Sequence, residues 1–247
     1  MRKMSFNEQI ELIKENLMHV QARMAKSALK VGRDVQDIQL VAVTKLLPLE
    51  TINAAIAAGH RSFGENYPEQ AAEKITALET NEKLTWHMIG HIQSRKTDTV
   101  IKYFDWVQSV DRLKIARLLD RYSGEAGRVL PVLIEVNVSG EESKFGWKAW
   151  DEDCWEDLIP DFTKIAGFDN LEIHGLMCMP PFFNDPELSR PHYQRLKRLQ
   201  SFLSDRLSAE NWSELSIGTS FDYEVAIEEG ATIVRLGTTI FGPRPLC

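Results

Sequence analysis

Lys45 closes the apolar run Leu40-Val41-Ala42-Val43-Thr44 and shares the strand parity of Val41 and Val43. If those valines face a closed interior, so does the lysine. An amine carried into apolar surroundings is costly while charged, and desolvation lowers its pKa toward the range where it is a nucleophile. The chemistry open to such a residue is Schiff-base formation with a carbonyl compound. On Lys45 alone, a strand-end lysine reaching solvent along its own methylenes is the plainer reading. A second feature is the pair of loops Gly218-Thr219-Ser220 and Gly237-Thr238. Their glycines let backbone approach a ligand closely. Ser220 is placed to cap a helix beginning near Phe221, so that its hydroxyl and the nearby amides face an anion. Ordinary loop glycines and a plain capping serine would look the same singly. The third feature is Arg235, which shares the parity of Gly237. A buried guanidinium stays charged and requires an acceptor, either a structural carboxylate or a ring nitrogen of a ligand.

Other polar residues carry less. His87 and His91 stand four apart on a strand, not on one helix face, which argues against a zinc pair; His91 fits a supporting position. His174 and His192 read as structural or solvated. Glu65 and Asp111 are candidate acid–base groups, each equally a cap or a solvated loop charge. Cys154, Cys178 and Cys247 form no ligand cluster and read as reduced thiols, Cys178 as a small core hydrophobe.

These residues need a frame that brings distant strand ends together. The first 30 residues read as one amphipathic helix, with Ser5 and Glu8 as a capping box and Ile10, Ile13, Leu17, Val20 and Met24 as its apolar stripe. Strand-like and helix-like stretches then alternate. The strands are 38–45, 61–66, 84–90, 106–110, 129–138, 171–179, 214–218 and 232–237. Eight strands with seven intervening helices point to a parallel α/β fold. A (β/α)₈ barrel is preferred over an open doubly wound sheet by the count of eight and the lack of a glycine-rich turn after the first strand. The N-terminal helix is expected to cover the outside where the eighth strand has almost no chain behind it. The whole of 1–247 is read as one domain. In a barrel, Lys45, Asn66, His91, Asp111, Met177, Ser220, Gly237 and Thr238 all fall at or just past the carboxyl ends of strands, where barrel chemistry sits. The segment 147–157, acidic with three tryptophans, reads as an acidic helix start, with a partner-binding patch as the alternative.

The bulk numbers are consistent. The 247 residues carry a formal charge of −7, with 43% hydrophobic and 26% charged residues. A net acidic chain with a pI near 5.5 is not a general nucleic-acid surface. No apolar run approaches the ~20 residues that span a bilayer, and the charged N-terminus lacks a signal peptide's apolar core. A cytoplasmic protein without membrane or nucleic-acid partners is expected.

The motifs AVTK (42–45), FGENY (63–67), WHMIGHIQSRK (86–96), SVD (109–111), EVNVSGEESKFG (135–146), GLMCMPP (175–181) and LSIGTSFDYEVAIEEGATIVRLGTTIFGPR (215–244) together resemble the YggS/PROSC family of pyridoxal 5′-phosphate (PLP) homeostasis proteins. The resemblance implies a fold-type III barrel related to the N-terminal domain of alanine racemase, with PLP as a Schiff base on Lys45. It further implies that Ser220, Gly237 and Thr238 hold the phosphate, that Arg235 faces the pyridine nitrogen, and that Asn66, His91 and Met177 line the cofactor. Thr219 stands where the family commonly has methionine, which questions local packing beside the phosphate loop.

The function so implied is intracellular PLP homeostasis or delivery, with PLP-accepting apo-enzymes as possible partners and no robust catalysis. The chain ends soon after its eighth strand, leaving no room for the β-rich second domain of an alanine racemase, which supports weak turnover as an expectation. A PLP-dependent racemase or decarboxylase is the alternative. A phosphate-sugar barrel enzyme using Lys45 as an aldolase-type base is a third reading.

Overall fold

Ser5 and Glu8 start the first helix as a reciprocal cap. The Ser5 hydroxyl accepts the Glu8 amide at 3.3 Å and the Glu8 carboxylate accepts the Ser5 amide at 2.8 Å. In the computed structural model, which describes residues 4–207 and 211–243, this helix, α1, runs Phe6–Lys30 and buries Ile13, Leu17, Val20 and Met24. Arg244 and Cys247 lie outside the described residues.

Among the described residues nine strands follow: β1 (Gln39–Val43), β2 (Ser62–Glu65), β3 (Thr85–Met88), β4 (Trp106–Val110), β5 (Leu130–Asn137), β6 (Trp147–Lys148), β7 (Leu171–Met177), β8 (Glu214–Ser216) and β9 (Ile233–Leu236). All but β6 form a closed ring of parallel neighbours, β1 to β5, then β7, β8, β9 and back to β1. This is the expected (β/α)₈ barrel. The connecting helices are α2 (Leu49–Ala57), α3 (Pro68–Ala77), α4 (Thr97–Tyr103), α5 (Leu113–Glu125), α6 (Ile159–Ala166), α7 (Arg190–Arg206) and α8 (Tyr223–Glu228), and the short α9 (Thr238–Phe241) follows β9. The N-terminal helix takes the outer position expected of it, packing against α2, α8 and α9. There Asn16 Nδ2 donates to the Ile240 carbonyl at 2.8 Å, and Arg23 and Lys30 pair with Glu224 and Glu228.

Two apolar layers result. The larger lies between strands and helices; the smaller, Val41, Leu133, Met177 and Ile233, fills the ring itself. The inward parity of Val41, on which the reading of Lys45 rests, is therefore real. Gly175, at φ 151, lets β7 and β8 approach closely, because a Cβ there would lie 1.9 Å from the Glu214 carbonyl oxygen on the neighbouring strand.

The segment 147–157 differs from its expectation as a helix start. Trp147–Lys148 pair with β5 as β6, and Glu152–Leu158 form a 3₁₀ helix leading into α6. Its acidity has a local reason: Glu152 and Glu156 meet Arg198 and Arg206 of α7 at 2.5 and 2.6 Å. Two of its tryptophans are also engaged, Trp147 edge-on to Phe162 and Trp155 donating to the Ala149 carbonyl. Among the described residues no helix is long and apolar enough to cross a membrane.

Candidate functional site

A cavity of about 210 Å³ opens at the carboxyl ends of the strands, lined by Val43, Lys45, Asn66, Ile89, Met179, Thr219, Ser220, Phe221, Arg235, Gly237 and Thr238. That is smaller than a drug-sized site of ~300–1,000 Å³ and suits a ligand of about one ring. Six of the eight residues expected to form a site meet here: Lys45, Asn66, Ser220, Arg235, Gly237 and Thr238.

Lys45 is half-buried on a tight turn that ends β1. The Leu47 amide returns to the Thr44 carbonyl at 3.0 Å, and Leu46 takes a left-handed φ of 62° to allow it. A non-glycine residue there is strained by roughly 1–3 kcal/mol and persists only where its surroundings fix it. The fixing group is Glu65. From sequence it is an acid–base candidate, a cap or a solvated loop charge; in the fold it is fully buried. Its Oε1 accepts Thr44 Oγ1 and Lys74 Nζ, each at 2.8 Å, and Lys74 also donates to the Thr44 carbonyl at 3.0 Å. A buried ion pair thus clamps the base of the lysine turn, a task for which the charge on Lys74 offsets the desolvation of the carboxylate.

Asn66 reaches the cavity because Gly90 lets it. A Cβ on Gly90 would lie 2.5 Å from the Asn66 carbonyl oxygen and 2.7 Å from its Cα. The Asn66 Oδ1 is buried without a hydrogen-bond partner, an acceptor whose desolvation is uncompensated by the protein.

The opposite wall is built by two joined loops. Ser220 does not cap the helix after it: α8 begins at Tyr223 and its N-cap position is Asp222. The Ser220 Oγ instead accepts the amides of Gly237 at 3.1 Å and Thr239 at 3.3 Å, across the start of α9. The first of these loops is set by Asp222, which sequence reading passed over. The Asp222 carboxylate is buried and accepts four donors: the Thr219 amide at 2.8 Å, Thr219 Oγ1 at 3.0 Å, Ser189 Oγ at 2.9 Å and the Tyr193 hydroxyl at 2.6 Å. Thr219 is tied into this loop, its amide and hydroxyl being two of the donors. Burial and the Asp222 charge push the Tyr193 hydroxyl well above its ordinary range. Gly218, at φ 90, leaves room for the turn, since a Cβ would meet that of Ala226 at 2.7 Å.

Arg235 forms the floor and is 4% exposed. Of the two acceptors considered for it, a structural carboxylate is not what it bonds. Nη1 donates to Ser216 Oγ at 2.5 Å, and Nη2 to the Cys178 carbonyl and to Met179 Sδ, both at 3.0 Å. Burial lowers its pKa from the ordinary guanidinium range. The same burial pushes the Cys178 thiol up to about 12, in keeping with an inert core residue.

His91 and Met177 are not on this wall. Met177 is fully buried in the ring's inner layer, and Met179, two residues on with the same parity, lines the cavity in its place. His91 lies in a neighbouring cluster, where its Nδ1 meets Asp111 Oδ2 at 2.6 Å and its ring stacks on Phe145 at 4.0 Å. Asp111, far from solvated, is buried and also held by Arg112 at 2.5 Å. Beside them Glu135, not singled out from sequence, carries an orphaned Oε2. Burial, then the Asp111 charge, push its pKa up to about 8 against the opposing pull of Arg235 and Arg112. Its signal was available: Glu135 shares the inward parity of Leu133 on β5. Among the described residues no cluster of His, Cys, Asp and Glu could hold a metal.

The comparisons with known proteins agree with this geometry. The family described as "Alanine racemase, N-terminal domain" matches residues 13–245. A pyridoxal phosphate homeostasis protein of Pseudomonas aeruginosa is 40% identical over 94% of this chain and 96% of its own. One from Vibrio cholerae is 38% identical with the same coverage of both chains. The solved structure of PipY of Synechococcus elongatus with PLP bound superposes with a TM-score of 0.81 at 31% identity, covering 93% of this chain and all of that one. An alanine racemase of Clostridium difficile shares the fold at 14% identity and a TM-score of 0.67, covering 96% of this chain and 58% of its own. By its full-length similarity to these relatives, the chain belongs to the pyridoxal phosphate homeostasis proteins, a family built on the alanine racemase N-terminal domain.

Proposed function

We infer that this protein binds PLP in the cavity at the barrel mouth, attached covalently through Lys45 Nζ, and serves intracellular PLP homeostasis. The observation that carries the reading is the convergence of an amine (Lys45), a guanidinium (Arg235) and the joined loops of Ser220 and Gly237-Thr238 on one small cavity. Those groups match the functional groups of PLP: a carbonyl carbon for the amine, a ring nitrogen for the guanidinium, a phosphate for the loop hydroxyls and amides. Val43, Ile89, Met179 and Phe221 supply apolar surface for a ring. The unpartnered Asn66 Oδ1 offers an acceptor. What a bound PLP supplies is an electrophilic aldehyde and an electron-withdrawing ring. The chain's own residues hold the amine on a clamped turn, exclude water below through the packed ring interior, and present a donor to the ring nitrogen. In this reading the cofactor is stored and handed on, with apo-enzymes that require PLP as recipients.

The test is borohydride reduction of the purified, PLP-loaded protein followed by peptide mapping. The pyridoxyl group is expected on Lys45. Label on another lysine, or none, sinks the proposal.

A further inference from the structure

A single file of polar side chains runs through the barrel from the cavity to the opposite end. It starts at Arg235. Ser216 Oγ lies 2.5 Å from Arg235 Nη1 and 2.6 Å from Gln108 Oε1. Gln108 Nε2 lies 3.0 Å from His87 Nδ1, and His87 Nε2 lies 3.1 Å from Ser62 Oγ. Ser216, Gln108 and His87 are fully buried. Ser62 is the first residue of β2, at the amino end of the strands, and there also receives Gln39 Nε2 at 3.1 Å.

As the side chains are placed, the file runs in one direction. A guanidinium has no acceptor, so Ser216 Oγ accepts from Arg235. The single hydroxyl proton of Ser216 is then free for the Gln108 carbonyl oxygen. With its Oε1 on Ser216, the Gln108 amide turns its NH₂ to His87 Nδ1. Nδ1 therefore accepts, and the imidazole proton sits on Nε2, donating to Ser62 Oγ. With the Gln108 amide turned over, its NH₂ would donate to the second lone pair of Ser216 Oγ, His87 would carry its proton on Nδ1, and His87 Nε2 would accept from Gln39 Nε2, 3.4 Å away; the His87 tautomer tells the two directions apart. Burial alone keeps His87 neutral, with a pKa lowered to about 3. Every bond thus points away from the cavity, and each reinforces the next in the low dielectric of the interior.

We propose that Ser216, Gln108 and His87 are positioning residues, which lock Arg235 so that its remaining N–H groups donate to a ring nitrogen bound in the cavity. The proposal rests on the PLP reading above and adds the part of the protein that sets its contact with the ring. The sequence separates these residues widely, on β9, β8, β4 and β3. Their alignment through the barrel axis is not needed to fill space, since Val41, Leu133, Met177 and Ile233 fill the same interior with apolar groups.

Two measurements test it. The first uses ligand-free protein: nitrogen-15 NMR of the His87 ring should show a neutral imidazole protonated on Nε2. A ring protonated on Nδ1, or doubly protonated at neutral pH, overturns the file whatever the ligand is. The second compares affinity for PLP with that for its analogue carrying CH in place of the ring nitrogen, in wild type, Ser216→Ala and Gln108→Met. Wild type should prefer PLP, and each variant should shrink that preference by roughly 3- to 10-fold, the share of one loosened hydrogen bond to a charged group. Affinity for the analogue should hardly move. Equal losses for both ligands mean the residues are merely structural and overturn the proposal. If wild type binds both ligands without preference, Arg235 does not meet the ring nitrogen and the proposal falls. If wild type takes up PLP on no lysine, the functional reading falls first, while the His87 tautomer still judges the file.

Discussion

Ser220 Oγ accepts the Gly237 amide at 3.1 Å, so the loop after β8 and the loop after β9 are one unit. With its lone pairs turned to the Gly237 and Thr239 amides, the Ser220 hydroxyl keeps its proton as a donor for an anion. Ser220→Ala removes that donor and loosens the joint. PLP affinity is expected to fall roughly 10- to 100-fold, the worth of a hydrogen bond to a charged group. Pyridoxal, which lacks the phosphate, should bind wild type poorly and be little affected. Equal weakening of both ligands, measured by absorbance titration, would show that Ser220 does not serve the phosphate.

Gly90 places Asn66 by having no side chain. Gly90→Ala would put a methyl group 2.5 Å from the Asn66 carbonyl oxygen, and backbone cannot yield as a flexible side chain does. A loss of about 1–3 kcal/mol in unfolding free energy is expected from the overpacking, together with weaker PLP binding. Urea unfolding and ligand titration of the same variant check both. Unchanged stability would mean that β2 and β3 move apart freely at this point.

Much of this site was legible in the sequence, for physical reasons. Lys45 and Arg235 follow from strand parity, which is exact at period two once the strand is recognised. Gly218 and Gly237 mark close backbone approach. The strand-end positions of Met177 and His91 are read from the sequence, and their place against a cofactor only from the resemblance. The right parity for Met177 did not give its depth, which puts it one layer below the cavity with Met179 above it. Glu65 with Lys74, and Asp222 with Tyr193 and Ser189, were illegible because each pairs residues from different turns of the fold. A carboxylate without its partner in view reads as solvated. The short strand β6 was missed because two residues leave no periodicity to detect.

His87 makes stability depend on acid. Its folded value of about 3 lies below the ordinary 6.5, so between those values the unfolded chain binds a proton that the folded chain refuses. Stability is therefore lost as pH falls from 6.5 toward 3, with a slope of up to about 1.4 kcal/mol per pH unit and a ceiling of about 5 kcal/mol. Urea unfolding of wild type and His87→Gln at pH 7 and pH 4 measures this. The variant should lose less on acidification; equal losses would show that His87 gains a proton without unfolding cost.

Glu135 acts in the other direction. Its folded value of about 8 stands above the ordinary 4.5. The folded chain holds a proton that the unfolded chain releases, so this group's contribution is full below pH 4.5 and is lost as pH rises to 8. Glu135→Gln, which keeps the shape and cannot ionise, should be more stable than wild type at pH 8.5 by up to about 5 kcal/mol. At pH 4.5 the two should be alike. A variant destabilised at both values would mean that the carboxyl group has a partner that glutamine cannot replace.

The cavity wall also bears on turnover. Among the described residues lining it, Lys45 and Arg235 carry the only side chains that are charged or titrate near neutrality; Asn66, Thr219, Ser220 and Thr238 supply only neutral polar groups. Racemisation removes a proton from one face of the α-carbon and returns it to the other, which calls for a second acid–base group opposite the lysine. Arg235 cannot serve, since it keeps its proton at any working pH. Facing a ring nitrogen, as proposed above, a fixed cation would also oppose protonation there and weaken the ring's pull on electrons. His91 and Glu135 are not among the lining residues and belong to the cluster with Asp111. Conversion of L-alanine to D-alanine by the PLP-loaded protein is therefore expected at background, while PLP stays bound and exchangeable. Chiral chromatography in D₂O, with NMR of the α-position, reads both inversion and exchange. Slow exchange with retention fits a single base at Lys45. Inversion at the rates of enzymes, about 1–10³ s⁻¹, would require a second group in reach of the ligand and would make this protein a racemase.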